Sequence, residues 1–414
     1  MNRRREAGGG GDASGVPARR AALRLLDAVL RKGLPLESAL DTATRELDRA
    51  DDRGFAHAIA AEALRRLPDL DALIDSATSK RLPDDSKARF ALRLALVQAL
   101  ALGTAPHAAI ATVLPLVDGG PRRLVHGVFG TLMRGGAKLP EIPTLPALIE
   151  QRWRKAWGET VTQAAARLIA VPPPIDLQGE PPADVDGISL MPGHLRIARG
   201  TAVAGLTGFG EGSAGGSWWV QDIAASLPAR LLGPGEGRTV LDLCAAPGGK
   251  TMQLAAAGWK VTAVDVSQSR LARLSENLAR TGLSADIVTA DIMEWRPSEP
   301  VDAILLDAPC SATGIFRRHP DVLHRARPRA IAQLAEVQKA MLQRSSAWLN
   351  PGGTFVYSVC SLEPEEGEQV ADAFLAGNSQ YREVDRQRVL PGAWIEAGGA
   401  DSFFIAAFTR ISGG

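Results

Sequence analysis

From about residue 18 to residue 134 the apolar positions return every three or four residues. AALRLLDAVLRKG places Leu23, Leu25, Leu26, Val29 and Leu30 on one face and stops at Gly33. FAHAIAAEALRRL, ARFALRLALVQALALG and RRLVHGVFGTLMRGG repeat the spacing, and the last two end in Gly. Alternating and β-branched runs are missing, so residues 18–139 are expected to form an all-helical domain. From residue 236 to residue 414 the rhythm changes. Short apolar runs (VLDL, VTAVDV, ADIVTA, VDAILLD, GGTFVYSVC, FFIAAF) alternate with helical stretches such as SRLARLSENLARTG and ARPRAIAQLAEVQKAMLQRSSAWL. That alternation predicts an α/β domain with a doubly wound, mostly parallel sheet and ligands at the carboxyl ends of its strands.

Between the two, residues 140–235 read as a connector with a small α+β subdomain. LIEQRWRKAWGET is an amphipathic helix with Trp153 and Trp157 one turn apart, whose expected role is packing. VPPPIDLQGEPPADVDG is too rich in Pro for a long regular element, and GFGEGSAGGSWWVQD carries a flexible SAGGS insertion. The start, MNRRREAGGGGDASGVP, has no apolar run, so residues 1–17 are expected to be a disordered tail rather than a signal peptide.

The stretch TVLDLCAAPGGKTMQLAAA holds the first candidate chemistry. A buried strand ends at Leu243, a turn of small residues follows, and a helix opens near Lys250. With Ala245, Ala246, Gly248 and Gly249 the turn is nearly bare, so a ligand can reach the backbone and the free N–H groups of the helix start. A phosphate-gripping loop would need Gly where Cys244 stands, and no dinucleotide fingerprint of three glycines is present, although Asp265 ends the next strand where a ribose-binding acid belongs.

Composition narrows the class. The 414 residues suffice for two or three domains, and no run approaches the ~18 apolar residues of a membrane span. The three cysteines, Cys244, Cys310 and Cys360, form neither a disulfide framework nor a metal-ligand spacing, so no metal and a reducing, cytoplasmic setting are expected. The net charge of +1 conceals an asymmetry: residues 1–140 hold 22 Lys and Arg against 16 Asp and Glu, and the remainder hold 25 against 30. A basic front end on an acidic body is compatible with RNA capture.

Polar or reactive residues close successive apolar strands: Cys244, Asp265, Asp291, Asp307 and Cys360. A single cysteine is most often a small buried hydrophobe. Two at neighbouring strand ends, in DAPCSATGIFRRHPD and VCSLEPEEGE, beside the Gly-rich turn, suggest a site. Together CAAPGGKT, DAPCSATGIFRRHPD and VCSLEPEE resemble the RsmB/Sun family of RNA 5-methylcytosine methyltransferases. APHAAIATVLPL followed by RRLVHGVFGTLMR resembles the closing helices of the NusB-like RNA-binding domain that precedes the catalytic part in that family.

The resemblance implies a Rossmann-like S-adenosylmethionine-dependent methyltransferase domain after an all-α NusB-like domain. It implies Cys360 as the nucleophile and Cys310 in product release. The backbone of Cys244, Ala245, Ala246, Pro247, Gly248 and Gly249 would face the methionine part of the cofactor, with Lys250 near its carboxylate. Asp265 would hold the ribose, Asp291 would lie by the adenine, and Asp307 by the methionine end and the target base. The partner would be RNA, the small-subunit ribosomal RNA first, met by a monomer without a membrane. The five arginines of RRHPDVLHRARPR, including Arg317, Arg318 and Arg325, are candidates for holding phosphates. Gln221 and Asp222 are taken as structural or substrate-orienting.

Four positions depart from the family pattern. His126 stands where Asn is usual and is expected, like His57 and His107, to pack or cap within the helices. IDLQ replaces a short apolar-basic strand, VCS replaces TCS, and EEG replaces EEN. Open alternatives are another RNA (tRNA or 23S rRNA), a non-catalytic RNA-binding or ribosome-assembly factor with the same fold, and a nicotinamide-dependent dehydrogenase.

Overall fold

The computed structural model describes residues 15–209 and 217–412; the expected tail up to residue 14 and most of the SAGGS insertion lie outside them. The helical periodicity becomes α1 (Val16–Leu30), α2 (Leu36–Thr44), α3 (Ala50–Arg65), α4 (Leu67–Ser76), α5 (Lys87–Leu100), α6 (Pro106–Val113) and α7 (Gly119–Arg134). α1 opens two residues before the expected start of the helical domain at residue 18, because Pro17 suits the first turn of a helix, where its missing N–H costs nothing. Leu25 and Leu26 are fully buried, each contributing ~1.5–3 kcal/mol. α5 is buried around most of its circumference, so it runs through the middle of the bundle. Its Arg93 forms two 2.8 Å hydrogen bonds to the carboxylate of Asp71, which compensates the buried charge.

The histidines of this unit correct an expectation. His126 and His107 are exposed rather than packed, and His57 meets the Glu37 carboxylate at 2.8 Å. All three lie on faces that the apolar spacing leaves outside the core.

The chain divides into two compact units, one reaching to Glu150 and taking in His319–Arg325, the other Gln151–Arg318 with Ala326 onward. Of residues 140–235, those up to 150 fall in the first unit and 151–235 in the second. The second unit begins within α8 (Ala147–Ala170), which breaks at Gly158 (φ 82°). A small antiparallel sheet follows, in the order β2–β1–β3, from β1 (Ile175–Gly179), β2 (His194–Ile197) and β3 (Trp218–Val220). IDLQ forms most of β1. Burial opposes the charge of Asp176, but hydrogen bonds from Arg196, His194 and the N–H of Ile223 outweigh it and hold the carboxyl far below its usual range. The acid that replaces a basic strand is an internal tie.

The chain continues through α9 (Ile223–Arg230), β4 (Thr239–Leu243), α10 (Gly249–Ala256), β5 (Lys260–Asp265), α11 (Gln268–Thr281), β6 (Asp286–Thr289) and β7 (Val301–Asp307). After the one-turn helix α12 (Val322–Arg325) of the first unit come α13 (Pro328–Ser346), β8 (Leu349–Val359), α14 (Glu368–Gly377), β9 (Tyr381–Val389) and β10 (Phe403–Arg410). The large sheet has the order β6–β5–β4–β7–β8–β10–β9. It is parallel from β6 to β8 and antiparallel across β8–β10–β9. Strand order reverses between β4 and β7, and a doubly wound sheet opens a crevice at such a switch point. Among the described residues no helix is long and apolar enough to cross a membrane.

β9 has no counterpart in the expected strands. YREVDRQRV carries charges on both faces of an edge strand, so no apolar alternation marks it.

Candidate active site

A cavity of about 490 Å³ opens at that switch point. Cys244, Ala246, Asp265, Asp291, Asp307, Cys310 and Cys360 all stand in its wall, from the ends of β4, β5, β6, β7 and β8. One side is formed by the turn after β4 and the end of β5. Cys244 turns the chain in a left-handed conformation (φ 62°), and the N–H groups of Ala245 and Ala246 bond to Val264 O and to Asp265 Oδ2, both at 3.1 Å. Gly248 (φ 108°) caps α10, and a Cβ there would fall 2.8 Å from Leu274 Cγ. Only glycine lets the loop lie that close to α11.

Gln221 and Asp222 support this side. Gln221 is buried against Gly249, accepts from the Trp219 indole at 2.7 Å and donates to Gln253 at 2.9 Å. Asp222 caps α9 through the N–H of Ala224. Ala245, Pro247, Gly248, Gly249 and Lys250 lie behind or beside the wall rather than in it. Asp265 is 3 % exposed, with its other oxygen accepting from the N–H of Ser267 at 2.9 Å. Asp291 lines the cavity while also capping its own turn through the N–H of Met293.

The other side is built from side chains. Cys310 and Cys360 bring their sulfurs to 3.5 Å. The hydrogen bond between the two thiols first, and burial second, push Cys310 well up, so that it keeps its proton beside Cys360. Burial, with Asp265 and Asp307 nearby, pushes Cys244 up to about 12, which leaves it an unreactive thiol. Lys250 Nζ donates to Asp307 Oδ2 at 2.8 Å, and Ser358 Oγ donates to Asp307 Oδ1 at 2.8 Å. Burial opposes the Lys250 charge, but Asp307 and Cys360 more than restore it, so the ammonium sits at the thiol end.

The loop after Cys360 is gripped from outside by α8. Trp153 Nε1 donates to Glu363 at 3.0 Å, Trp157 Nε1 to the carbonyl of Leu362 at 2.8 Å, and Arg152 pairs with Glu363 and Glu365. Trp153 is also buried against Phe316, so packing is its role, as its spacing suggested. Gly314 donates to the carbonyl of Cys360 at 3.0 Å, and a Cβ there would strike both that carbonyl and the carbonyl of Ser402.

The arginine expectation is corrected. Arg317 is 1 % exposed and donates to Gly398 O at 2.6 Å, and Arg318 bonds to Asp222 and Asp401. Arg325 bonds within the helical unit to Asp321 and to the carbonyl of Gly33. Arg318 and Arg325 thus already carry buried carboxylate partners in Asp222, Asp401 and Asp321, and Arg317 is itself buried; Arg327 and Arg329 of the same run are exposed.

Residues 229–409 match the model of the 16S rRNA methyltransferase RsmB/F family, and residues 16–121 match the NusB family. Ribosomal RNA small subunit methyltransferase B of Klebsiella pneumoniae subsp. pneumoniae is 32% identical over 95% of this chain and 98% of its own length. The protein of the same name from Pseudomonas syringae pv. tomato is 33% identical over 95% and 97%. The chain belongs to the RsmB family. The crystal structure of PH0851, 21% identical with a TM-score of 0.74 over 95% of this chain and 99% of that one, shares the fold.

Two departures from the RsmB/F pattern find a place in the structure. Val359 is fully buried in the apolar core, so VCS replaces a hydroxyl on the core side of β8. At Gly367, the Gly of EEG, a Cβ would collide with Arg388 and fall 2.8 Å from Phe404; Arg388 instead holds the carbonyl of Ser361 at 2.6 Å. The RsmB family implies S-adenosylmethionine, and the cavity fits it. Its volume lies in the ligand-site range of ~300–1,000 Å³. It joins the turn after β4 and a buried carboxylate, Asp265, to a pair of thiols.

Proposed function

We propose that the protein transfers a methyl group from S-adenosylmethionine to carbon 5 of a cytidine in 16S rRNA, through a covalent adduct between Cys360 and carbon 6. The observation that carries this reading is the pair of thiols, 3.5 Å apart, in the wall of the same cavity as Asp265.

Carbon 5 of cytosine is a poor nucleophile while the ring is conjugated. Addition of the Cys360 thiolate to carbon 6 breaks the conjugation and leaves carbon 5 electron-rich. S-adenosylmethionine supplies a methyl group already carried on a sulfonium, so no metal is needed to activate it. Loss of the carbon-5 proton then re-forms the double bond and expels Cys360, with Cys310 serving that release. Lys250 holds positive charge near Cys360 and fixes Asp307, whose carboxylate would accept from the exocyclic amino group of the base. Asp265 would take the ribose hydroxyls, Asp291 would lie beside the adenine, and the Cys244–Gly249 backbone would face the methionine part.

Because the reacting carbons are ring atoms, the cytidine must be unpaired or flipped out to enter. The same reading has the chain act as a monomer in the cytoplasm, with residues 18–139 as the RNA-capturing domain, 140–235 as a connector and 236–414 as the catalytic domain. The test is methyl transfer from labelled S-adenosylmethionine to unmodified 16S rRNA. Labelled 5-methylcytosine with the native protein, lost in Cys360→Ala, is the expected result. Labelling that survives in Cys360→Ala but vanishes in Cys310→Ala would reverse the two thiols.

A further inference from the structure

The loop after β8 holds a buried carboxylate that the reaction above does not use. Glu366 is fully buried, and no Lys or Arg pairs with it among the described residues. Its Oε1 accepts from the N–H of Ser311 at 2.8 Å and from Gln338 Nε2 at 3.3 Å. Its Oε2 accepts from the hydroxyls of Ser311 and Ser361, each at 2.5 Å. Ser311 directly follows Cys310, and Ser361 directly follows Cys360. One carboxylate thus ties together the residues next to both thiols.

The carboxylate is itself held in place. Tyr357 donates its hydroxyl to the carbonyl of Glu366 at 2.5 Å, and Gln338 donates to the carbonyl of Pro309 at 2.9 Å, on the other flank of Cys310. Burying an acid with only neutral donors is unfavourable, and burial pushes the Glu366 carboxyl upward despite its hydrogen bonds. An apolar side chain would fill the space without that cost. What it could not do is accept three hydrogen bonds from two separate loops, which needs two oxygens in one plane.

We infer that Glu366 is a positioning residue that holds the Cys310 and Cys360 thiols in register, so that one target ring meets both. The inference rests on the reading that these two thiols do the chemistry. The tolerance is narrow, because displacing a reacting group by ~1 Å costs about 100-fold in rate.

The register can be read without any catalysis. Diamide removes two electrons and two protons from a pair of thiols and leaves a disulfide, at a rate that follows how often the sulfurs meet. The native protein should close the Cys310–Cys360 disulfide quickly, as followed by mass mapping after alkylation of the remaining thiols. Glu366→Gln, and separately the double variant Ser311→Ala with Ser361→Ala, should close it about tenfold or more slowly, with kcat for methyl transfer falling about 100-fold. S-adenosylmethionine affinity should stay within about twofold of native, which separates lost register from a damaged fold.

Closure at the native rate together with native kcat in Glu366→Gln overturns the inference. If Glu366→Gln no longer binds the cofactor, the double variant decides, and native-rate closure in it overturns the inference as well. Full methyl transfer by Cys360→Ala would sink the thiol chemistry instead, an outcome that the disulfide rates do not touch.

Discussion

The two halves of the cavity are built on opposite principles. The half after β4 is local: a strand, five residues of turn and a helix start form it, with Cys244 and Ala246 in the wall and Asp265 one strand away steadying the turn. The half after β7 and β8 is assembled from distant pieces. Cys310 and Cys360 are 50 residues apart, Glu366 reaches back 55 residues to Ser311, and Trp153 on α8 bonds to Glu363 across 210. A contiguous turn tolerates many side chains provided that they are small, whereas a side-chain clamp depends on each member.

The contrast can be broken most severely at the nucleophile. Cys360→Ala should lower methyl transfer on the order of 10⁴-fold while leaving S-adenosylmethionine affinity unchanged by calorimetry. Under the same assay Cys310→Ala should stall with RNA joined to Cys360, visible as a slower band on a denaturing gel. Gly314→Ala comes next. Its methyl has to push aside the carbonyls of Cys360 and Ser402, an overpacking cost of ~1–3 kcal/mol, so both Tm and kcat should fall while donor affinity holds.

On the local side Asp265→Asn should show the opposite split. Donor Kd should rise about tenfold, the loss of ~1.4 kcal/mol, with kcat at saturating donor little changed. A fall in kcat of Cys360→Ala size would mean that the halves are not separable.

The smallest effect concerns pH. Burial first raises Asp242, near the carboxyl end of β4, to about 7, although Thr251 Oγ1 donates to it at 2.5 Å. The folded state therefore holds a proton that the unfolded chain releases near pH ~4. The stabilisation is complete below that value and is lost as pH rises through about 7. In urea unfolding, Asp242→Asn should lose less stability than native protein between about pH 5 and about pH 8. Equal losses would remove Asp242 as a contributor.

The same division explains what could be read from residues alone. CAAPGGKT sits on contiguous chain, so its strand, bare turn and helix are visible as a run of letters, and the strand-end cysteines show as breaks in apolar stretches. The partners of Glu366 do not, because Ser311, Ser361 and Gln338 meet only once three elements have folded; the EPEEGE run pointed to the place but not to the contacts. The RRHPD run misled for a related reason. Charge in a sequence does not reveal whether an acid will be buried beside it, and Asp222 and Asp401 lie far from Arg318 along the chain. Lys250 belongs by position to the cofactor turn, and its bond to Asp307, 57 residues on, does not show in the sequence either.

β9 escaped the apolar pattern altogether, and the reason has a use. Five of its nine residues, Arg382, Glu383, Asp385, Arg386 and Arg388, are charged, and it ends the large sheet. An edge strand offers a free row of N–H and C=O groups to any extended chain that drifts past, and charged side chains along that row make such an addition unfavourable. The letters that hide this strand from a search for hydrophobic rhythm therefore guard the sheet against growing by a strand from a neighbouring molecule.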